Sequence, residues 1–462
     1  MRVDAYGAAL GRVLYPAWER LRGRPTVDLL AYLRRSERAS ADELDAMRVG
    51  FLRRLLRHAA AHTTYYRTAF DRAGFDPETV REVGDLARVP LLGRTIAQAT
   101  VDARTAAWPD VAYRKTTSGS TGQPLEVRYS VESRVWRDAT RWRGFGWGGY
   151  RMGNKAMHLW GLPAVAPSRW QHVKTEVDRR IKRDVYVSCM VRGRDELRAM
   201  VDTVRRDKPQ AILGYAQAIA DLARFVNAEG LRDWDTIPVI YGAERLWQHD
   251  RDDLARAFGP AVFETYGCRE LMLIGAECEA HDGLHESAEN LIVEVLVRER
   301  DGSFRAARPG EQGEVAVTDL HNLACPFVRY LIGDLAVARA PARCACGRVL
   351  ARFGPIEGRV TDTMHDAAGN PVEGILFNIL FLNLSQHARQ FQVVQRADLR
   401  VVLRVVPVIA GTRVLAGDAE QLIRDFVGKH LRGVPLDIEL VDDIPLTAAG
   451  KLRRVVVERA PI

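Results

Sequence analysis

Lysine is scarce in this chain. Seven of its 462 residues are lysine, so the net charge of +8 is carried mostly by arginine, and a lysine inside a motif is informative. Cysteine is also sparse. Six cysteines in a chain this long exclude a disulfide scaffold and fit a reduced, cytoplasmic compartment. Long apolar runs are absent. No stretch approaches the ~20 residues of a membrane span, and the opening M-R-V-D-A-Y-G-A-A-L has no apolar core ahead of a cleavage site, so neither membrane nor secretory signal is expected. The basic charge forms no stripe, and there is no zinc-finger spacing or aromatic RNA-binding signature, which argues against a nucleic-acid partner. Internal repeats and long low-complexity linkers are missing too. What remains is 47% hydrophobic and 27% charged, an ordinary soluble composition. At roughly 100–200 residues per domain the length allows two or three domains.

One stretch organises the rest. Thr116 to Pro124 reads T-T-S-G-S-T-G-Q-P, and its first seven residues are all Thr, Ser or Gly. Glycine supplies backbone freedom and close approach, and hydroxyls supply short donors. Such a loop suits wrapping polyphosphate oxygens with N–H groups and hydroxyls. It is not the G-x-x-x-x-G-K-[ST] loop, because no lysine follows its last glycine. A flexible Ser/Gly linker is the plain alternative.

Residues 1–95 read as helical. Ser40 to Leu56 opens with an N-cap and an acidic first turn, then shows three- and four-residue apolar spacing. His58, His62, Tyr65 and Tyr66 continue it and read as packing or surface residues rather than ligands. After the hydroxyl-rich loop, L-E-V-R-Y alternates like a strand. From 155 to 275 strands and helices alternate: strands at 156–160, 211–215, 238–242 and 262–267, helices at 195–206, 216–228 and up to Phe258. That order predicts an α/β layer with a largely parallel sheet, and glycines at the strand ends become candidate pocket walls. From 291 onward L-I-V-E-V-L-V and G-E-V-A-V-T-D-L predict a β-rich subregion. A last unit, from about 361 to 462, mixes strands at 391–394 and 401–406 with a helix at 418–431. The fold class is therefore α/β with a small α+β unit at the C-terminus. The expected division is 1–360 and 361–462.

Four further pieces share the loop's logic. Glu270, in Y-G-C-R-E, could hold a Mg²⁺ that bridges phosphates. Asp334, after a glycine in Y-L-I-G-D, suits the two hydroxyls of a ribose. Arg359, at the expected joint, offers a guanidinium to phosphate or ribose. Lys451 is a lone lysine on a glycine-flanked turn near the C-terminus.

In this order the chain resembles the adenylate-forming (acyl-CoA synthetase) superfamily, most closely its phenylacetate–CoA ligase and CapK-like branch. The matching pieces are T-T-S-G-S-T-G-Q-P, Y-G-A-E-R-L, E-T-Y-G-C-R-E, G-L-H-E-S-A-E-N-L-I-V-E-V, P-F-V-R-Y-L-I-G-D-L, C-A-C-G-R, G-R-V-T-D-T-M and P-L-T-A-A-G-K. The resemblance covers nearly the whole chain. It implies a large N-terminal domain, a small mobile C-terminal domain and a site between them. It implies that a carboxylic acid and ATP give an acyl-adenylate and pyrophosphate, and that the acyl group then passes to CoA. Physically, hydroxide is a poor leaving group, and the mixed anhydride with AMP replaces it. The enzyme's task is to neutralise the polyphosphate and align the attack.

Carried over residue by residue, the resemblance puts Thr117, Ser118, Gly119, Ser120, Thr121 and Gly122 on the phosphates. Gly242, Ala243 and Glu244 line the adenine and acyl pocket, with Thr265, Tyr266 and Gly267 against the nucleotide. Glu270 binds Mg²⁺, Asp334 the ribose, and Arg359 the ribose or phosphate. Lys451 bridges the acyl carboxylate and the α-phosphate, and leaves when the small domain rotates about a hinge at Thr361 and Asp362. An aromatic acid is implied, with Trp160, Tyr215, Tyr241, Gly267 and Cys268 as pocket walls.

The sequence also departs from that pattern. Gln123 stands where many relatives carry lysine, and Thr361 where an acidic residue is usual. A-A-G-N-P-V-E-G poorly matches the glycine-rich stretch that approaches CoA. An amine, a carrier-protein thiol or nitrite is therefore the alternative acceptor. The cysteines give a separate expectation: Cys278, His285, Cys344 and Cys346 would close a tetrahedral structural Zn²⁺ site, against buried apolar cysteines as the alternative. Cys189, Cys268, Cys325 and His281 are the spare candidates. A monomer or homodimer is expected.

Overall fold

The computed structural model describes residues 4–458 except 118–124, 161–168, 190–192, 300, 360–362, 374–376, 378–379, 381–383, 385–386, 410, 413, 416 and 447–451. The N-terminal part is helical, as its periodicity predicts. Ser40 caps the helix Ala41–His62 through a reciprocal bond with Glu43, an arrangement whose loss typically costs ~1 kcal/mol. That helix continues past Leu56 as the pattern predicts, and Leu52, Leu55, Leu56 and Ala59 all bury against Ile292, Leu320 and Val328. His58 and Tyr66 serve this packing. Their polar atoms bond the carbonyls of Leu323 and Pro326.

The main sheet has eight strands in the spatial order Arg352–Phe353, Leu284–Glu286, Met272–Glu277, Val262–Cys268, Val239–Gly242, Ala211–Tyr215, Ala156–Trp160 and Asp184–Ser188. The last five are parallel, and the first three join through antiparallel pairings. Helices Arg194–Asp207, Ala216–Ala228 and Gln248–Phe258 supply much of the apolar cluster on this sheet. The strands between them read as continuous apolar runs because they are covered on both faces. All the parallel strands enter the sheet in the same direction, so Trp160, Tyr215, Gly242 and Thr265 lie at one edge of it.

A second sheet, wholly antiparallel, follows the order Phe304–Ala306, Leu291–Arg298, Gln312–Asp319, Tyr330–Val337, Ile356–Arg359. The D-G-S turn at 301–303 leads into the short strand Phe304–Ala306, which the sequence pattern did not separate out. A further apolar cluster draws only on residues 364–457. It packs helix Gly417–His430 on a four-stranded sheet containing Ala388–Gln395 and Val401–Pro407. No helix among the described residues is long and apolar enough to cross a membrane.

Candidate active site

The hydroxyl-rich loop grows from a hairpin, Tyr113–Thr116 against Glu126–Tyr129. Its ends are pinned together. Thr117 N–H donates to Leu125 O at 3.0 Å, and Leu125 N–H donates to Thr117 Oγ1 at 2.9 Å. Ser118, Gly119, Ser120, Thr121, Gly122 and Gln123 lie outside the described residues. Arg94 stands at the base. Its Nη2 donates to Thr117 Oγ1 at 3.0 Å and its Nη1 to Glu270 Oε1, also at 3.0 Å. The structure thus joins Thr117 and Glu270 through an arginine that the sequence pattern did not single out. Glu270 is buried, and its own carbonyl accepts from Arg137 Nη1 at 2.6 Å. Arg137 is itself buried against Asp319, Nη2 to Oδ2 at 2.6 Å.

The backbone around Glu270 is set by close approach. A Cβ on Gly267 would sit 2.1 Å from Met272 O, so only glycine lets this strand turn back on itself. Cys268 follows. Burial, and then the Glu270 charge, push its thiol well above the usual range. The shift favours the protonated thiol over the nucleophilic thiolate. Tyr266 O–H donates to Asp334 Oδ2 at 2.8 Å. Asp334 faces Arg359 across the Tyr330–Val337 and Ile356–Arg359 pairing. The Arg359 side chain, Thr361, Asp362 and Lys451 fall outside the described residues.

Gly242 ends its strand and Ala243 takes the left-handed conformation, φ +70°. That twist delivers Glu244 to two backbone donors. Oε2 accepts from Gln217 N–H at 3.1 Å, in the first turn of helix Ala216–Ala228. Oε1 accepts from Leu452 N–H at 2.8 Å. Leu452 is the residue after Lys451, and 208 positions separate it from Glu244. Nearby, the Arg454 guanidinium lies over Trp247 and Phe391, 5.2 and 5.6 Å from the ring centres.

The aromatic candidates divide. Trp160 and Tyr215 meet edge to face, centroids 4.9 Å apart, both half-buried at the ends of neighbouring strands. Tyr241 instead lies within the apolar core and is only 1% exposed. Its hydroxyl accepts from Arg251 Nη2 at 2.8 Å and donates to Glu264 at 3.3 Å.

The cysteine expectation concerns four residues, and the chain brings all four together. The ligand atoms of Cys278, His285, Cys344 and Cys346 lie within 4.8 Å of one another. Cys278 and Cys344 sulfurs are 3.7 Å apart, and Cys346 Sγ is 3.3 Å from His285 Nε2. A tetrahedron with Zn–S bonds of ~2.3 Å has edges of about 3.8 Å, so the donors fit. His285 Nδ1 faces Leu350 O at 3.0 Å, which turns Nε2 to the thiols. Burial lowers the imidazole to about 4, keeping it neutral as a ligand must be. Of the spare candidates, Cys189 and Cys325 are buried, and His281 pairs with Glu277 at 3.1 Å.

Comparison with known proteins follows the same lines. No family model matches the chain. It is 26% identical over 445 residues to a phenylacetate–coenzyme A ligase of Thermus thermophilus, covering 90% of this chain and 96% of the relative. It is 27% identical over 341 residues to the phenylacetate–coenzyme A ligase of Escherichia coli, covering 71% of this chain and 74% of that one. Among solved structures, 2-hydroxyisobutyryl-CoA ligase in the postadenylation state matches with a TM-score of 0.71 at 21% identity, 92% of each chain being covered. The chain shares the fold of that CoA ligase, and the relatives it matches are phenylacetate–CoA ligases. Against the same solved ligase in its thioesterification state the TM-score falls to 0.58. The chain's backbone thus superposes better on that ligase's postadenylation form than on its thioesterification form. The chain's small C-terminal part rests on the strand ends through the Glu244–Leu452 contact.

Proposed function

We propose that this chain is an AMP-forming ligase that activates a carboxylic acid with ATP and passes the acyl group to CoA. The observation that carries this reading is the joining of Thr117, Arg94 and Glu270 at the base of the hydroxyl-rich loop. Those groups face where a polyphosphate would lie, and Tyr266 holds Asp334 ready for a ribose. The acid is an aromatic one. The names of the relatives and the Trp160–Tyr215 pair at the strand ends support this.

In this reading the chain's own groups do most of the work. The loop's N–H groups and hydroxyls, with Arg94, meet the negative charge that leaves as pyrophosphate. Fixed donors of this kind act where charge develops and need no reorganisation. Lys451 would bridge the acid carboxylate and the α-phosphate, and Arg359 would hold the ribose or a phosphate, with Thr361 and Asp362 as the hinge. Residues 1–360 and 361–462 are the two moving parts. One buried carboxylate beside hydroxyls is the sparse donor set that Mg²⁺ takes, so Glu270 would hold that ion, which neutralises phosphate charge when bound. Cys278, His285, Cys344 and Cys346 would hold Zn²⁺ as a structural staple. The place of work is the cytoplasm.

Pyrophosphate exchange into ATP over a panel of aromatic and aliphatic acids tests the reading. Exchange with one or more acids, followed by CoA-dependent release of AMP, is expected. No exchange with any acid would refute it, and exchange without CoA-dependent turnover would replace CoA by another acceptor.

A further inference from the structure

Helix Thr26–Ser36 and its following turn, the end of helix Val131–Trp147, and the turn after Cys346 enclose a cleft of about 350 Å³. Five arginines line it, Arg34, Arg38, Arg143, Arg151 and Arg348, against one carboxylate, Glu37. The base of the cleft is already neutralised. Arg143 gives both terminal nitrogens to Glu289, at 2.6 and 2.7 Å. Arg348 donates to Glu37 at 3.2 Å and to Glu279 at 2.8 Å. Glu37 also accepts from Trp147 Nε1 at 3.1 Å, so the one lining carboxylate is committed.

The rim is different. Among the described residues neither Arg34 nor Arg151 makes a salt bridge, and both are exposed. Although Arg34 as a whole is exposed, partial desolvation of its guanidinium and then the Arg151 charge lower it, with the Glu37 charge opposing, so the two arginines stand close together. Arg143 is 2% exposed, yet its Nε has no hydrogen-bond partner. Glu37 Oε2, at 3.9 Å, is within ion-pair range but beyond a hydrogen bond. Five like charges gathered around one carboxylate that is already hydrogen-bonded elsewhere are unfavourable. A buried guanidinium donor left open is also costly. An anion with several oxygens removes both penalties, because guanidinium forks match phosphate oxygens two at a time. The cleft has room for more than a single ion, since a water occupies about 30 Å³ of liquid.

We propose that this cleft is a second anion site, built for a diphosphate group, which shares no residue with the site at Thr117 and Glu270. Trp147 stiffens it, because the Arg143 and Arg348 guanidinium groups lie 5.6 and 4.9 Å from its ring centre. Arg348 belongs to the same turn as Cys346, so an anion here also braces the thiol cluster.

Titration calorimetry with inorganic pyrophosphate at constant ionic strength and without divalent metal, beside a separate titration of a non-hydrolysable ATP analogue with Mg²⁺, distinguishes this cleft from the site at Thr117 and Glu270. The full-length protein should bind pyrophosphate under those conditions. The Arg34→Gln/Arg151→Gln variant should bind it at least tenfold more weakly while binding the ATP analogue within twofold of the parent. Without anion, that variant should melt close to the parent, since neither arginine makes a salt bridge among the described residues and the repulsion lost offsets the Glu37 attraction. If it melts lower, Arg34→Gln alone should still weaken pyrophosphate several-fold. No binding above a chloride control, or full affinity in the variants, would overturn the proposal.

Discussion

Glu244→Gln is the sharpest perturbation of the proposed reaction. The carboxylate of Glu244 accepts one N–H from helix Ala216–Ala228 and one from Leu452. Glutamine keeps a single acceptor oxygen and turns an NH₂ toward the other donor. The helix N-terminus favours the oxygen, so the contact to Leu452 is the one that fails. A hydrogen bond to a charged group is worth about 1.5–3 kcal/mol. Lost from the closed arrangement alone, it reduces the closed population by about 10- to 150-fold, at ~1.4 kcal/mol per factor of ten. If closure is favourable by a margin in the parent, part of that loss is absorbed, so the expected fall in pyrophosphate exchange is about 5- to 100-fold. The peptide that Glu244 holds begins at Lys451, so the loss should appear in kcat more than in the KM for ATP. The second half-reaction, started from supplied acyl-adenylate and CoA, should change by less than about twofold if, as proposed, rotation of the small domain releases this contact before it. Equal losses in both half-reactions would mean that Glu244 only supports the fold. Unchanged exchange would mean that the contact does not position the turn.

Other perturbations read other parts of the site. Arg94→Ala removes a charge-assisted contact at the loop base and should lower kcat/KM for ATP about 10- to 100-fold, with Arg94→Lys recovering part of it. An unchanged value would remove Arg94 from the site. Cys344→Ser should release the metal, with zinc content by atomic absorption falling from about one per chain to near zero and a lowered melting temperature. A parent protein purified without chelator and free of zinc would refute that site. Arg137→Leu strands Asp319, which is 0% exposed, and should cost about 3–5 kcal/mol in urea unfolding.

The parallel strands were legible because their sequences are nearly continuous in apolar residues. Ala211–Tyr215 and Val239–Gly242 are buried on both faces and end in recognisable turns. Asp184–Ser188 was not. It is the sheet's edge, half-exposed and flanked by charge, so its short D-V-Y-V-S pattern has nothing to set it apart. Met272–Glu277 was obscured by Gly275, which the strand needs because the Phe353 ring fills the space a Cβ would take, 2.6 Å away. Helix Arg169–Lys182 exposes Val173, Val177 and Ile181, so apolar spacing there marks no core. Among the candidates, Glu270, Asp334 and the thiol cluster stood out because each sits in a distinctive local string, and the structure brings the four residues of that cluster together. Arg94 did not stand out. It is one arginine in an arginine-rich chain, and 176 positions separate it from the carboxylate it meets.

That contact also bears on Gln123, the odd residue of the loop. A lysine there would bring one charge on a flexible stem to the departing pyrophosphate. The chain instead places a guanidinium under the loop, fixed on one side by Glu270 and on the other by Thr117. Arginine's planar fork is pre-organised and always charged, so less entropy is spent in meeting phosphate oxygens than with a lysine. The cost is that Arg94 is shared with the carboxylate assigned to Mg²⁺. Under the proposed function, each phosphate contact made by Arg94 would weaken its hold on Glu270 and free that oxygen for the ion. Nucleotide and metal should therefore bind with positive coupling, and Arg94→Ala should reduce the coupling along with the affinity. Titrating Mg²⁺ with and without ATP, in parent and variant, measures this directly. Equal Mg²⁺ enhancement of ATP affinity in both proteins would separate the two roles.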